Sequence, residues 1–281
     1  MQDQSNFTSV LSAVPDDDLY RTWSAERTIM LRRTSKRVKE LIDMKRLPVV
    51  VCLNMRFWNN ICNSNSRANE KIQLVTMYLN VLVTKWNITS LEVTNCIFLS
   101  AQELLGVVAL FHSSALTRIV LNFNKIDEDC AEMLARVLKQ CPVLTHIDLS
   151  NNHLSDKGIE SLARVIGNCN TLAYLNLKSN NINNEGAEIL TRVLAQCQAL
   201  THLDLSNNWI DSQRIEKIAR VIPDCPSLVH VNLCNNLFEY KGSEYEIGIE
   251  KMFEQCGIYF NIESNYRYDR DYQSDDSSDY I

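Results

Sequence analysis

Hydrophobic and polar positions recur along this chain on a fixed schedule. Leu116, Ile119, Leu121, Asn124 and Ile126 return 28 residues later as Leu144, Ile147, Leu149, Asn152 and Leu154. The set comes back as Leu172, Leu175, Leu177, Asn180 and Ile182, and then as Leu200, Leu203, Leu205, Asn208 and Ile210. Leu228, Val231, Leu233, Asn236 and Phe238 follow, and a weaker copy, Ile88, Leu91, Val93, Cys96 and Phe98, comes first. Six copies in phase exclude chance and predict stacked, near-identical units. Within each unit, apolar residues two apart predict a short strand whose neighbouring residues face outward. The second half of the unit predicts an amphipathic helix. Ala131, Leu134 and Leu138 recur as Ile159, Leu162 and Ile166, as Ala187, Leu190 and Leu194, and as Ile215, Ile218 and Ile222. Spacings of three and four place each trio on one stripe.

Parallel strands stack about 4.8 Å apart, whereas packed helices need about 8–10 Å. A stack with strands on one side and helices on the other therefore bends, strands inward. The predicted fold is α/β: a horseshoe solenoid with a concave parallel sheet and convex helices. The Asn at the end of each strand carries a donor and an acceptor on one side chain. It is predicted to satisfy turn backbone that burial would otherwise leave unpaired. The pattern Leu-x-x-Leu-x-Leu-x-x-(Asn/Cys)-x-Leu, with a helix per repeat and the phrase Leu200-Thr-His-Leu-Asp-Leu-Ser-Asn-Asn208, resembles the ribonuclease-inhibitor class of leucine-rich repeats over residues 88–260. That resemblance implies a binding surface and leaves the partner open.

The ends depart from the repeat. Residues 47–87 are predicted to form an N-terminal cap: a strand near Leu47–Leu53, then a helix marked by Ile72, Val75, Leu79, Leu82 and Trp86. Residues 88–262 carry the repeats and a closing strand, and the Asp- and Ser-rich stretch 263–281 is expected to be a disordered acidic tail. Residues 1–46 are predicted to form a small helical segment. There Val14-Pro15-x-x-x-Leu19, and Leu31 through Ser35-Lys36-Arg37-Val38-Lys39-Glu40-Leu41, resemble an F-box over residues 10–44. That family usually has Trp where this chain has Val38. The resemblance implies docking to the adaptor subunit of a cullin–RING ubiquitin ligase through Val14, Pro15, Leu19, Leu31, Val38 and Leu41. The alternative is a helical cap over the first repeat.

Composition narrows the setting. Met1–Phe7 has neither a basic start nor an apolar centre, so no export signal is expected, and no apolar run reaches the length of a membrane span. Ten cysteines invite a disulfide framework. Four of them, Cys141, Cys169, Cys197 and Cys225, follow the repeat period. Helix spacing sets them farther apart than the ~7 Å a disulfide spans, so they are expected to be buried thiols of an intracellular protein, cytoplasmic or nuclear. Net charge is −6, and no basic stripe suits a phosphate backbone, so neither nucleic acid nor membrane is an expected partner. Phosphate loops, nucleophile elbows and HExxH are missing from the sequence, so no enzyme activity and no cofactor are expected.

Outward strand positions supply the candidate contacts. The first row reads Arg118, His146, Tyr174, His202 and His230, and the next reads Val120, Asp148, Asn176, Asp204 and Asn232. A third holds Asn122, Ser150, Lys178, Ser206 and Cys234, and Trp209 is expected on the rim. The partner-binding set is Arg118, His146, Asp148, Tyr174, Asn176, Lys178, His202, Asp204, Trp209, His230 and Asn232, with Tyr174 the leading anchor. His202, His230 and Asp204 could together ligate zinc, but repeat consensus on a wet face accounts for them better, and no metal is expected. The expected function is a protein–protein interaction module acting as an F-box/leucine-rich-repeat substrate receptor. The alternatives are a freestanding scaffold or inhibitor gripping a protein on its concave face and, more distantly, a GTPase-activating regulator of the Ran type, a family that shares the repeat class and an acidic C-terminal region.

Overall fold

The structure is a computed structural model that describes residues 49–54, 88–96, 100–111, 115–237, 259–261 and a few positions between 248 and 254. Eight strands form one parallel sheet in chain order. They are β1 (Val49–Asn54), β2 (Ile88–Thr94), β3 (Arg118–Val120), β4 (His146–Asp148), β5 (Tyr174–Asn176), β6 (His202–Asp204), β7 (His230–Asn232) and β8 (Tyr259–Asn261). Between them run α1 (Ala101–Val108), α2 (Glu128–Leu138), α3 (Ser155–Asn168), α4 (Asn184–Leu194) and α5 (Ser212–Val221). This is the α/β leucine-rich repeat solenoid that the periodicity predicts. Among the described residues no helix is long and apolar enough to cross a membrane.

Register follows the repeat. Arg118 pairs with His146, His146 with Tyr174, Tyr174 with His202 and His202 with His230, each a step of 28. The last step, His230 to Tyr259, is one residue longer. The strands are three residues long from β3 onward, and a left-handed residue follows the end of each strand from β2 to β7. Asn95, Phe123, Asn151, Ser179, Asn207 and Asn235 all sit at φ between 53° and 58°. Asn reaches that region at lower cost than other non-glycine residues, which explains its frequency in the column.

All twelve residues of the helical stripes are buried, Ala131 through Ile222, as are the strand leucines facing them. Each periodic Asn welds two repeats together. Asn152 Oδ1 accepts from Asn124 N and Ile126 N, both at 3.0 Å, while its Nδ2 donates to Leu121 O and Leu149 O. Asn208 repeats the arrangement two units on, and Asn180 keeps part of it one unit on, its Oδ1 accepting from Leu154 N at 3.4 Å and its Nδ2 donating to Leu149 O. The periodic cysteines are buried thiols. Cys225 Sγ donates to Leu194 O at 3.2 Å, and Cys169 Sγ to Leu144 O at 3.4 Å. Burial pushes the Cys197 thiol up to about 12 and the Cys225 thiol up to about 11, so both stay protonated and act as small apolar fillers. The F-box-like segment and the helix expected behind β1 lie outside the described residues.

Candidate protein-binding face

Side chains of one row meet across the strands because parallel pairing in constant register puts equivalent residues about 4.8 Å apart. In this chain the row is made of rings. His146 stacks flat on Tyr174, centroids 4.0 Å apart and planes within 3°. Tyr174 lies 6.0 Å from His202 at 33°, and His202 stacks on His230 at 4.4 Å and 24°. Tyr259 closes the column edge-on to His230 at 5.4 Å. Five rings on five strands thus form one continuous ladder. Beyond its first ring stands Arg118, whose Nε donates to Glu92 Oε1 at 3.4 Å.

The environment favours the neutral form of three of these rings, His146, Tyr174 and His202. Burial pushes the His146 imidazole down to about 4, helped by the positive Arg118 beside it and by His202. His202 is lowered too, by burial first and by His230 second. The Tyr174 phenol is raised, mostly by burial, with Asp148 and Asp204 adding to it.

The neighbouring row has structural duties. Asp148 Oδ1 accepts from Ser150 N at 2.9 Å, Asn176 Oδ1 from Lys178 N at 3.0 Å, and Asp204 Oδ1 from Ser206 N at 2.8 Å. Asn232 Oδ1 closes the same turn on Cys234 N, and its Nδ2 donates to Asp204 Oδ2 at 3.0 Å. These residues fix where the strand ends, and Asn176 is itself buried. Lys178 remains half-exposed. Trp209 stands 48% exposed on the rim, apart from the ladder, anchored by its backbone N–H on Ile182 O. Two expectations about outward positions are corrected. Val120 and Asn176 of the second row are buried, and so are Ser150 and Ser206 of the third, while Asn122, Lys178 and Cys234 of that third row stay half-exposed.

Two residues were missed in the sequence. Tyr259 escaped because the one-residue lengthening of the last repeat breaks the alignment; matching Phe260 to Val231 would have found it. Phe123 is 53% exposed and left-handed at φ 58°, in a column otherwise of Asn and Ser. That column, read by composition, was its signal. The zinc geometry does not form. The His202 and His230 rings lie nearly parallel, so lone pairs in the two ring planes run side by side rather than converging. Among the described residues no cluster of three His, Cys, Asp or Glu suits a metal ion.

Residues 34–256, well over half of the chain, match the leucine-rich repeat domain described as the MHP1/HER1/GIP3 LRR domain. The chain belongs to this MHP1/HER1/GIP3 family. No characterised protein matches it by sequence. Its fold is similar to that of the actin-binding site 2 domain of leiomodin-1, at 15% identity over 69% of this chain and 91% of that one, with a TM-score of 0.38. Similar too are an internalin, inlF, from Listeria monocytogenes (17% identity, 66% of this chain and 50% of that one, TM-score 0.38) and the tropomodulin C-terminal domain of Caenorhabditis elegans (12%, 66% and 92%, 0.39). The MHP1/HER1/GIP3 match begins at residue 34, inside the segment that resembles an F-box. A domain of this family is a protein-interaction module in the coarse sense that its leucine-rich repeats support.

Proposed function

We propose that the chain grips a protein partner on its concave face, with the ring ladder from His146 to Tyr259 as the central contact stripe. The continuity of that ladder supports the reading. Tyr and His rings offer rigid area and a polar edge at small entropic cost, the qualities of interface anchors. Arg118, Asp148, Lys178, Asp204 and Asn232 border the stripe with hydrogen-bonding groups, and Trp209 offers a separate apolar contact on the rim. The test is capture from cell extract by the intact chain and by a Tyr174→Ala, His202→Ala double variant, read by quantitative mass spectrometry. At least one protein is expected to be lost by the double variant and kept by Arg136→Ala on the convex side. Equal recovery by all three chains would sink the reading.

The finer role we propose is that of an F-box/leucine-rich-repeat substrate receptor, with Val14, Pro15, Leu19, Leu31, Val38 and Leu41 docking the adaptor of a cullin–RING ligase. The hydrophobic-Pro opening and the Ser35-Lys36-Arg37 to Leu41 closing favour it. The competing reading is a freestanding scaffold or inhibitor. The family match favours that one, since it assigns residues 34–44 to the repeat domain. Co-purification with the adaptor separates them: a receptor binds it and loses it on Pro15→Ala, Leu19→Ala, whereas a scaffold never binds. A Ran-type GTPase-activating role has no residue of this chain to rest on.

A further inference from the structure

We propose that the ladder is an acid-released grip: at neutral pH His202 accepts a hydrogen bond from a donor group of the partner through Nε2, and acid breaks both that bond and the ring stack. The partner contact rests on the concave-face reading above; the chemistry of the ladder does not.

The tautomer of His202 is assigned from the hydroxyl of Thr201, which sits between the Ala173 carbonyl and the ring. Thr201 Oγ1 donates to Ala173 O at 2.7 Å, and the same oxygen lies 2.8 Å from His202 Nδ1. A hydroxyl has one proton. With that proton on the Ala173 carbonyl, Thr201 Oγ1 can only accept from the ring, so Nδ1 carries the imidazole proton. Nε2 is then bare, an acceptor at the edge of a half-exposed ring. A partner N–H or O–H satisfies it. When Nε2 takes a proton in acid, the atom changes from acceptor to donor, and the partner's donor faces another donor.

The stack fails at the same time. His202 and His230 lie 4.4 Å apart, so charging both sets like charges at stacking distance. At the other end His146 already borders the Arg118 guanidinium on β3. Facing groups of opposite sign are few. On β6 itself Asp204 is held by Ser206 N and Asn232 Nδ2. On β4 Asp148 is held by Ser150 N, and on β2 Glu92 pairs with Arg118. Lys178, in the turn after β5, adds positive charge. Tyr174 on β5 and Tyr259 on β8 are neutral partners in the ladder. The sign follows from linkage. A free imidazole titrates near 6.5, while the folded His146 holds out to about 4. Between those values the unfolded chain binds more protons, so stability falls as pH drops through that window.

Ring nitrogen and carbon NMR of the intact chain from pH 8 to 4.5, with His202→Gln for assignment, reads the tautomer and the titration without any partner. His202 is expected as the Nδ1–H form, titrating below the free imidazole. Melting at pH 7.5 and 5.0 is then compared between the wild type and a His146→Phe, His202→Phe, His230→Phe variant, which keeps rings but no proton sites. The wild type is expected to lose about 5 °C more than the variant. An Nε2–H tautomer, an ordinary titration midpoint or equal acid losses would overturn the proposal. A partner captured at pH 7.5 is expected to elute at pH 5.0, and one that stays bound refutes the grip at His202. If nothing is captured at pH 7.5, the concave-face reading fails, while the ring titration still decides the ladder.

Discussion

Asn208→Ala is expected to cost about 4 kcal/mol of stability, against less than about 1 kcal/mol for Asn122→Ala. The difference lies in what each deletion orphans. Asn208 is 4% exposed, and its Oδ1 accepts from two backbone groups of the preceding repeat, Asn180 N and Ile182 N, both at 3.0 Å. Its Nδ2 donates to Leu177 O and Leu205 O. Those carbonyls have other donors, Asn180 Nδ2 and Asn236 Nδ2, so they survive the deletion. The two N–H groups lose their acceptor in a buried turn, at about 1–3 kcal/mol each. Asn122 is half-exposed, and water can replace what it loses. Urea midpoints of the two variants check the prediction. Equal shifts would mean that the asparagine column does not hold the turns.

Leu175→Ala is expected to cost about 3–4 kcal/mol, the range for emptying a buried leucine site that relaxes only in part. Leu175 is fully buried on β5, directly behind Tyr174, and pairs in register with Ile147 and Leu203. In a solenoid each unit is stabilised by its two neighbours. A cavity in the fifth strand of eight therefore weakens both interfaces at once. Hydrogen exchange should show faster opening of β4 to β6, and the concave ladder should loosen at the 6.0 Å step between Tyr174 and His202. A loss below about 1 kcal/mol would mean that the space behind β5 is not close-packed.

Much of this architecture was legible in the residues. Leu203 and Leu205 sit two apart and Ile215, Ile218 and Ile222 three and four apart, and those periods translate directly into strand and helix. Repetition then removes the usual ambiguity of register, since a slip in one unit would misplace the equivalent residues of every other. The outward row was legible for the same reason, and Arg118, His146, Tyr174, His202 and His230 do line up. Burial of Val120, Ser150 and Ser206 was not. Alternation places them with half-exposed row-mates such as Asn122 and Lys178 and does not distinguish them. The final lengthened step hid Tyr259 from simple counting.

The sequence alone determined the stack, its handoff from strand to helix and the identity of each column, because translation by one repeat maps every local preference onto its neighbour. Tertiary structure decided how the columns behave once stacked. Whether His146 lies flat on Tyr174, which nitrogen of His202 keeps its proton, and which Asn oxygen holds which repeat all depend on side-chain rotamers set by contacts 28 residues away. Such contacts exist only after the strands have come within about 5 Å of one another.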